Sequence, residues 1–239
     1  MGGVGDGLKA ENANWTFGAG VAQNFDDHVS KSVPLYHEGH KLICALSDFF
    51  VKADSVVYEI GCSTGTLTME LAKHNAAKKG VRFVGIDVEP EMVALANRKR
   101  EAAKAGHVSF TVDDALLMDF EPADMICCYY TVQFIRPSKR QELIDKFYKS
   151  LRWGGALCLF EKVRGPDARF QDIVTATYHD WKMEQGYDAN EIVSKARSLK
   201  GVLEPFSTQG NIDMLRRAGF QDTMTIMKYI CFEGFVAIK

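Results

Sequence analysis

The stretch Val56-Val57-Tyr58-Glu59-Ile60-Gly61-Cys62-Ser63-Thr64-Gly65 decides the fold, and Thr66-Leu67-Thr68-Met69-Glu70-Leu71-Ala72 carries it on as a helix. A short β-branched apolar run ends in an acid, turns through Gly-x-x-x-Gly and enters a helix-forming segment. Gly61 lets the backbone approach a ligand closely, and Gly65 permits a sharp entry into the helix where a side chain would collide. The free N–H groups at that helix start favour an anionic or polar ligand. Neither the dinucleotide pattern G-x-G-x-x-G nor the Gly-Lys-Ser/Thr ending of a P-loop is present.

Downstream, strands and helices alternate. Strands are expected over 56–59, 82–87, 108–112, 125–130 and 156–163, the last entered through a turn at Gly154-Gly155. Helices are expected over 67–75, 90–104 and 138–151, with Pro90 in a first turn and Ser138 as an N-cap. That rhythm predicts a parallel sheet covered by helices on both faces. Residues 167–200 interrupt it. They read as mostly helical, broken at Gly186, with Asp188 capping a second helix through Ser198, and would cover the active site or form a dimer contact. A final helix over 211–218 ends at Gly219, and strands over 224–230 and 235–238, joined at Glu233-Gly234, predict an antiparallel hairpin. Upstream, Trp15, Phe17, Val21 and Phe25 are apolar landmarks, Pro34 breaks the pattern, and 37–50 reads as a helix with Leu42, Ile43, Leu46 and Phe49 on one face. This segment either pads a core edge or lies over the ligand as a lid. The chain therefore divides into an N-terminal lid or helical segment, 1–50, and a ligand-binding domain, 51–239, that carries the insertion 167–200.

Composition bounds the function. The 239 residues carry a formal net charge of −2, with lysines and arginines scattered, so broad adhesion to nucleic acid or an anionic membrane is not expected. No apolar run approaches the about 18–20 residues that span a bilayer. The start, Met1 to Gly7, lacks the basic region and apolar core of a signal peptide and is expected to be a flexible lead-in. Six cysteines form no C-x-x-C pair and lie largely in apolar runs, which predicts reduced core thiols in a cytoplasmic protein and no zinc site. Cys127 and Cys128 should point to opposite faces of one strand.

The form Glu59-Ile60-Gly61-Cys62-Ser63-Thr64-Gly65 resembles the first motif of class I S-adenosylmethionine (SAM) methyltransferases. In such a sheet the ligand sits at the carboxyl ends of the strands, near the topological switch point. Asp87 ends the second strand, where a carboxylate can accept both hydroxyls of a ribose; its structural alternative is a helix N-cap. Asp114, after the third strand, can accept from an adenine amine or stand as a solvated loop acid. Tyr129-Tyr130-Thr131 ends the fourth strand beside the expected methionine end, and of the two tyrosines one should face the site. No Ser-His-Asp order stands out and the six histidines are scattered, which suits chemistry on an already activated sulfonium.

A more specific resemblance runs from about residue 14 to the end. Phe25, Ser32-Val33-Pro34-Leu35-Tyr36, Tyr58 to Ser63, Thr131-Val132-Gln133-Phe134-Ile135, Pro137-Ser138 and Trp153 to Leu157 running to Glu161-Lys162 resemble the carboxy-SAM synthase family of bacterial tRNA wobble-uridine modification. So do Tyr178-His179-Asp180, Gly186-Tyr187, Glu191-Ile192, Lys195-Ala196-Arg197-Ser198 and Ala218-Gly219-Phe220. The resemblance implies an α/β, Rossmann-like class I methyltransferase fold, a mostly parallel seven-stranded sheet with a C-terminal β-hairpin and a helical insertion. It implies an enzyme that joins carbon dioxide derived from prephenate to the methyl carbon of SAM, giving carboxy-SAM and phenylpyruvate, and a homodimer. Its cofactor contacts would be Tyr36, Gly61, Cys62, Ser63, Asp87, Val88, Asp114 and Ala115, with Arg197 binding the new carboxylate through a planar fork. Two positions depart from the family pattern. Tyr129 stands where the family has an asparagine contact, and a ring there could meet the sulfonium; Phe17-Gly18-Ala19-Gly20 replaces a charged Phe-Asp-x-Arg. A small-molecule methyltransferase and a non-catalytic SAM-binding protein are the alternative readings.

Overall fold

A computed structural model describes residues 2–5, 9–17 and 21–239 of the protein. A two-residue ribbon of β1 (Gly2–Gly3) and β2 (Lys9–Ala10) and two helices, α1 (Val21–Ser32) and α2 (Tyr36–Phe50), precede the main sheet. Of the expected flexible lead-in, residues 1, 6 and 7 lie outside the described ones. Val4 is fully buried and Gly5 lies against the Tyr187 ring, so this part of the start is packed.

The alternating region follows as β3 (Val56–Ile60), α3 (Thr66–His74), β4 (Arg82–Asp87), α4 (Pro90–Ala102), β5 (Val108–Val112), β6 (Ala123–Tyr129), α5 (Pro137–Ser150) and β7 (Leu151–Lys162). The insertion is α6 (Ala168–Glu184) and α7 (Ala189–Ser198), after which come α8 (Thr208–Ala218), β8 (Asp222–Tyr229) and β9 (Phe232–Ile238). The seven-stranded sheet has the order β5-β4-β3-β6-β7-β9-β8; the first five strands are parallel, β9 runs antiparallel to β7, and β8 pairs antiparallel with β9 and so runs in the direction of the first five. From β3 the chain winds outward to β5, then returns to β6 on the other side of β3. The switch point therefore lies between β3 and β6.

Side-chain alternation divides the core into two layers. Val57, Phe83, Cys127 and Cys158 face one layer with Leu67 and Leu71 of α3; Val56, Tyr58, Cys128 and Leu157 face the other with Leu143, Ile144 and Phe147 of α5. The two adjacent cysteines do point to opposite faces. Side chains such as Leu143, Ile144 and Phe147, with no exposed surface, each contribute about 1.5–3 kcal/mol by burial.

The helical insertion forms as its sequence indicates. Asp167 accepts from the Phe170 amide at the start of α6, and Asp188 and Glu191 form a capping box on α7. Three local expectations are corrected. α5 opens on Pro137 rather than on a Ser138 cap, because proline's fixed φ and missing N–H suit the first helical position. Gly154 and Gly155 lie inside β7, where the pairing with β6 shifts register, rather than in a turn before the strand. The hairpin turns at Ile230-Cys231, not at Glu233-Gly234: Ile230 takes a left-handed φ of 51°, while Gly234 is a strand residue covered by the Phe160 ring.

Those last two positions should respond oppositely. A Cβ on Gly234 would come 2.5 Å from the Phe160 ring, so Gly234→Ala is expected to destabilise by about 1–3 kcal/mol. Ile230→Gly relieves a left-handed β-branched residue and should be neutral or stabilising by about 1 kcal/mol. Urea unfolding midpoints of the two variants against the parent protein give the comparison. A destabilised Ile230→Gly beside an unaffected Gly234→Ala would return the turn to Glu233-Gly234.

Candidate active site

The loop after β3 is bound to the end of β4. The Gly61 and Cys62 amides both donate to the Ile86 carbonyl, at 2.7 and 3.0 Å, and the Ser63 amide donates to Asp87 Oδ2 at 2.8 Å. Gly61, Ser63 and Gly65 all have positive φ, at 70°, 43° and 75°. The glycine at 61 also answers a steric demand from the protein itself. Its missing Cβ would lie 2.4 Å from the Thr131 side chain, so the loops after β3 and β6 meet at the switch point.

Asp87 is thereby oriented. Its other oxygen accepts from the Glu89 amide at 3.0 Å, and each oxygen keeps capacity to accept a further bond. Asp114, beyond β5, accepts from the Leu116 amide at 2.9 Å. Both acids line a cavity of about 320 Å³ along the carboxyl ends of the strands, together with Tyr36, Gly61, Cys62, Ser63, Val88, Ala115 and Tyr129. Val88 is 59% exposed at its mouth. Every expected contact residue is gathered there except Arg197. Phe17 is also in the wall, whereas Gly18, Ala19 and Gly20 of its motif lie outside the described residues.

Arg197 is exposed and lines neither this cavity nor its neighbour; its carbonyl accepts from the Ala13 amide. Two residues along a helix turn the side chain by about 200°. Lys195, buried on the inward face of α7, takes the place at the cavity that the sequence suggested for Arg197. Within one chain the arginine is therefore not beside the cofactor-contact residues.

Both Tyr129 and Tyr130 reach the cavity, where strand alternation allowed one. The reason is backbone: Tyr130 leaves β6 with a φ of 60°, a strained conformation for a bulky residue that is characteristic of functional sites. The Tyr130 hydroxyl is buried with no hydrogen-bond partner among the described residues. The Tyr129 hydroxyl is committed, donating to the Tyr36 carbonyl at 2.5 Å, and burial pushes its pKa far above the usual tyrosine value. Tyr129 thus offers the site a ring, not a proton.

Several charged residues of the wall were not singled out as site residues from the sequence, Glu59, Lys162 and Lys195 among them. Glu59, in the cavity wall, is buried and accepts from the Thr68 hydroxyl. Burial, with Asp87 and Glu70 nearby, pushes its carboxyl up to about 8 against the opposing hydrogen bonds from Thr68. Lys162, at the end of β7, has its ammonium 4.4 Å from the centre of the Tyr178 ring and 5.8 Å from that of Phe232, and burial lowers its pKa. Lys195 donates to Ser32 Oγ at 2.8 Å and contacts His28, which stacks on Trp15. The α1 segment is tied to the glycine loop separately. Asp26 accepts from Thr64 Oγ1 at 2.7 Å and from Lys99 Nζ at 2.8 Å; burial would raise its pKa, but these bonds hold it low.

A seven-stranded sheet in this order, with a glycine turn and an acid-ended second strand at its switch point, defines a class I SAM-dependent methyltransferase fold. A family profile described as a methyltransferase domain matches residues 57–155. Human N-acetylserotonin methyltransferase, solved in complex with SAM, superposes with a TM-score of 0.61 at 15% identity, over 92% of this chain and 55% of that one. The carboxy-S-adenosyl-L-methionine synthase of Nautilia profundicola is 37% identical over 97% of each chain. That of Staphylococcus epidermidis is 36% identical over 94% of this chain and 97% of its own. The chain belongs to the carboxy-S-adenosyl-L-methionine synthase family.

The buried acids predict a pH dependence of stability. Glu161, behind the site, resembles Glu59: burial raises its carboxyl to about 8 despite Arg140 and the Val132 and Gln133 amides. Between the ordinary carboxyl value of about 4.5 and about 8, the unfolded chain has released these protons and the folded chain retains them. Stability from these two groups is therefore complete below about 4.5 and is lost as pH rises towards 8. Urea midpoints across pH 5–9 should fall for the wild type up to about 8. Glu59→Gln and Glu161→Gln should each flatten that slope, and an unchanged slope in both would contradict the assignment.

Proposed function

We propose that the enzyme binds SAM along this cavity and converts SAM and prephenate to carboxy-SAM and phenylpyruvate, in a pathway of the tRNA wobble-uridine type. Along the sheet edge, Asp114 and Ala115 take the adenine, Asp87 the ribose diol with Val88 alongside, and Gly61, Cys62 and Ser63 the backbone of the turn. Tyr36 and Tyr129 flank the methionine end, where the Tyr129 ring faces the sulfonium. The site suits such a ligand on two counts: a cradle held open by positive-φ residues, and an unpartnered Tyr130 hydroxyl in its wall. SAM supplies, when bound, a methyl carbon already activated by its sulfonium.

The observation that carries this reading over simple methyl transfer is Lys162. The acids at the ends of β5 and β4 give way, past β3 and β6, to a cation at the end of β7. Asp87 and Lys162 are three strand spacings of about 4.8 Å apart, with room between them for the ribose and the reacting carbon. An ammonium facing a sulfonium is unfavourable unless an anion stands between them, and a carboxylate on the transferred carbon is such an anion. The segment 1–50 serves as a lid on the domain 51–239: Trp15, Phe17 and Phe25 lie over the cavity, and the Asp26 contacts with Lys99 and Thr64 fasten it.

We also propose a cytoplasmic homodimer. The six cysteines are buried free thiols, which suits a reducing compartment. On the insertion, Tyr178 and Trp181 stack on each other and Tyr178 packs inward on Phe232, but Phe170 and Ile173 are 52% and 55% exposed on α6. That exposed apolar pair is offered as part of the contact.

Mass spectrometry of the protein incubated with SAM and prephenate is expected to find carboxy-SAM and phenylpyruvate. Formation of S-adenosylhomocysteine alone, with prephenate untouched, would transfer the assignment to methyl transfer. Asp87→Ala removes a charged acceptor worth about 1.5–3 kcal/mol, so SAM affinity by calorimetry should weaken roughly ten- to a hundredfold. Light scattering at micromolar concentration should give twice the 26.7 kDa chain mass, and Ile173→Asp should lower it; a monomeric wild type would remove the dimer.

A further inference from the structure

Gly39 and His40 of α2 are buried beside the Tyr36–Tyr129 pair, yet neither lines the cavity. A Cβ on Gly39 would lie 2.1 Å from the Tyr129 hydroxyl and 3.0 Å from two of its ring carbons. Only glycine therefore lets that hydroxyl pass the helix and reach the Tyr36 carbonyl at 2.5 Å. Glycine inside a helix is destabilising against alanine, so α2 gives up helix stability for this approach.

His40 is 1% exposed, and its ring packs on both tyrosines, with centroids 4.7 Å from Tyr36 and 4.8 Å from Tyr129. The two tyrosines are themselves 5.1 Å apart, edge to face. His40 Nδ1 is 2.9 Å from Glu70 Oε2, a bond that ties the ring to α3 and holds the Glu70 carboxyl below its usual range. In a neutral imidazole a carboxylate at Nδ1 places the proton there. Nε2 is then a buried acceptor with no partner among the described residues. The field at these rings is negative: burial first, and after it Glu59 and Asp26 with Glu70 adding to them, pushes the Tyr36 hydroxyl well above its ordinary value. Packed rings in a negative field suit a cation and give a neutral group no such advantage.

We propose that Gly39 and His40 are positioning residues for recognition of charge at the sulfur, fixing the Tyr36–Tyr129 pair so that the site selects a sulfonium over a neutral thioether; this rests on the reading that puts the methionine end of SAM at these rings. S-adenosylhomocysteine differs from SAM by one methyl group and one positive charge. A ring held in place against the sulfur separates the two, whereas a ring free to turn gives up its attraction for the cation.

The full chain is titrated calorimetrically with SAM, S-adenosylhomocysteine and sinefungin, which carries an ammonium in place of the methylsulfonium. The quantity read is the ratio of SAM to S-adenosylhomocysteine affinity, because a fold that is merely loosened loses both ligands together. That ratio should fall roughly three- to thirtyfold in Tyr129→Leu, which removes the ring. It should fall in the same direction in Gly39→Ala, which displaces the ring, and in His40→Ala, which removes its support. Sinefungin should follow SAM in every variant. Tyr129→Phe keeps the ring and removes the obstructed hydroxyl, so Gly39→Ala/Tyr129→Phe should recover much of what Gly39→Ala loses. A wild-type ratio in Tyr129→Leu overturns the charge recognition, and so does sinefungin following S-adenosylhomocysteine, since the methyl group is then what is read. A wild-type ratio in both Gly39→Ala and His40→Ala overturns the positioning roles, and a double variant without recovery overturns that of Gly39. Asp87→Ala separates this from the reading beneath it. Unchanged SAM affinity in Asp87→Ala sinks the placement of SAM, whereas weakened affinity there beside an unmoved ratio in Tyr129→Leu sinks the charge recognition alone.

Discussion

The hydrogen bond from the Ser63 amide to the Asp87 carboxylate holds the site together. It joins the turn after the first strand of the main sheet to the end of the second, and it needs a left-handed backbone at Ser63, where φ is 43°. That conformation is uncommon for a residue with a Cβ. It persists because the amides of Gly61 and Cys62 are fixed to the Ile86 carbonyl on the same strand end. The loop, the acid and the start of α3 are therefore one rigid unit. On its far side, Thr131 fills the space above Gly61, so the fourth strand is registered against the first. A substitution that loosened any of these contacts would move several ligand-facing groups at once.

What the sequence discloses of this arrangement is set by the range of the interactions. The limits of β4 and β5 can be read from the chain because local alternation and flanking punctuation determine them. The insertion helices are equally legible, since Asp188 caps its own helix within three residues. Asp87, Asp114 and the glycine turn can be placed by the rule that strand ends meet at the switch point. Gly234 defeats the same reading. A glycine beside an acid looks like a turn, and only the Phe160 ring, brought over it by strand pairing, makes it a strand position.

The charged residues of the site are harder to read for a similar reason. A lysine in a sequence looks like a solvated surface group, and nothing near Lys162 in the chain says otherwise. The rings that enclose it, Tyr178 and Phe232, come from the insertion and from the last strand. Lys195 could be found by helical spacing, because Ile192, Lys195 and Leu199 fall on one face of α7 and its following turn. On that criterion Arg197 points away, and helix phase rather than residue type decides which cation meets the cavity.

The cavity is consequently a graded electrostatic environment rather than a uniform one. Asp114, Asp87 and Glu59 make one side acidic, and Lys162 and Lys195 make the other basic, with Tyr36, Tyr129 and Tyr130 between them. Low polarity in the middle strengthens both ends, since few solvent dipoles screen the field there. A ligand that is cationic at its centre and carries an anion on the β7 side satisfies the whole gradient. A ligand with the cation alone leaves the Lys162 ammonium facing it without an anion between them. The Glu59 carboxyl, raised to about 8, belongs to the same balance. With the cavity free of a cation its charge is the more costly form, and a positive group placed beside it reverses that preference. The fold thus holds in reserve, in the cavity wall, a negative charge that a cationic ligand calls out, while the positive charge at the opposite end awaits the acid.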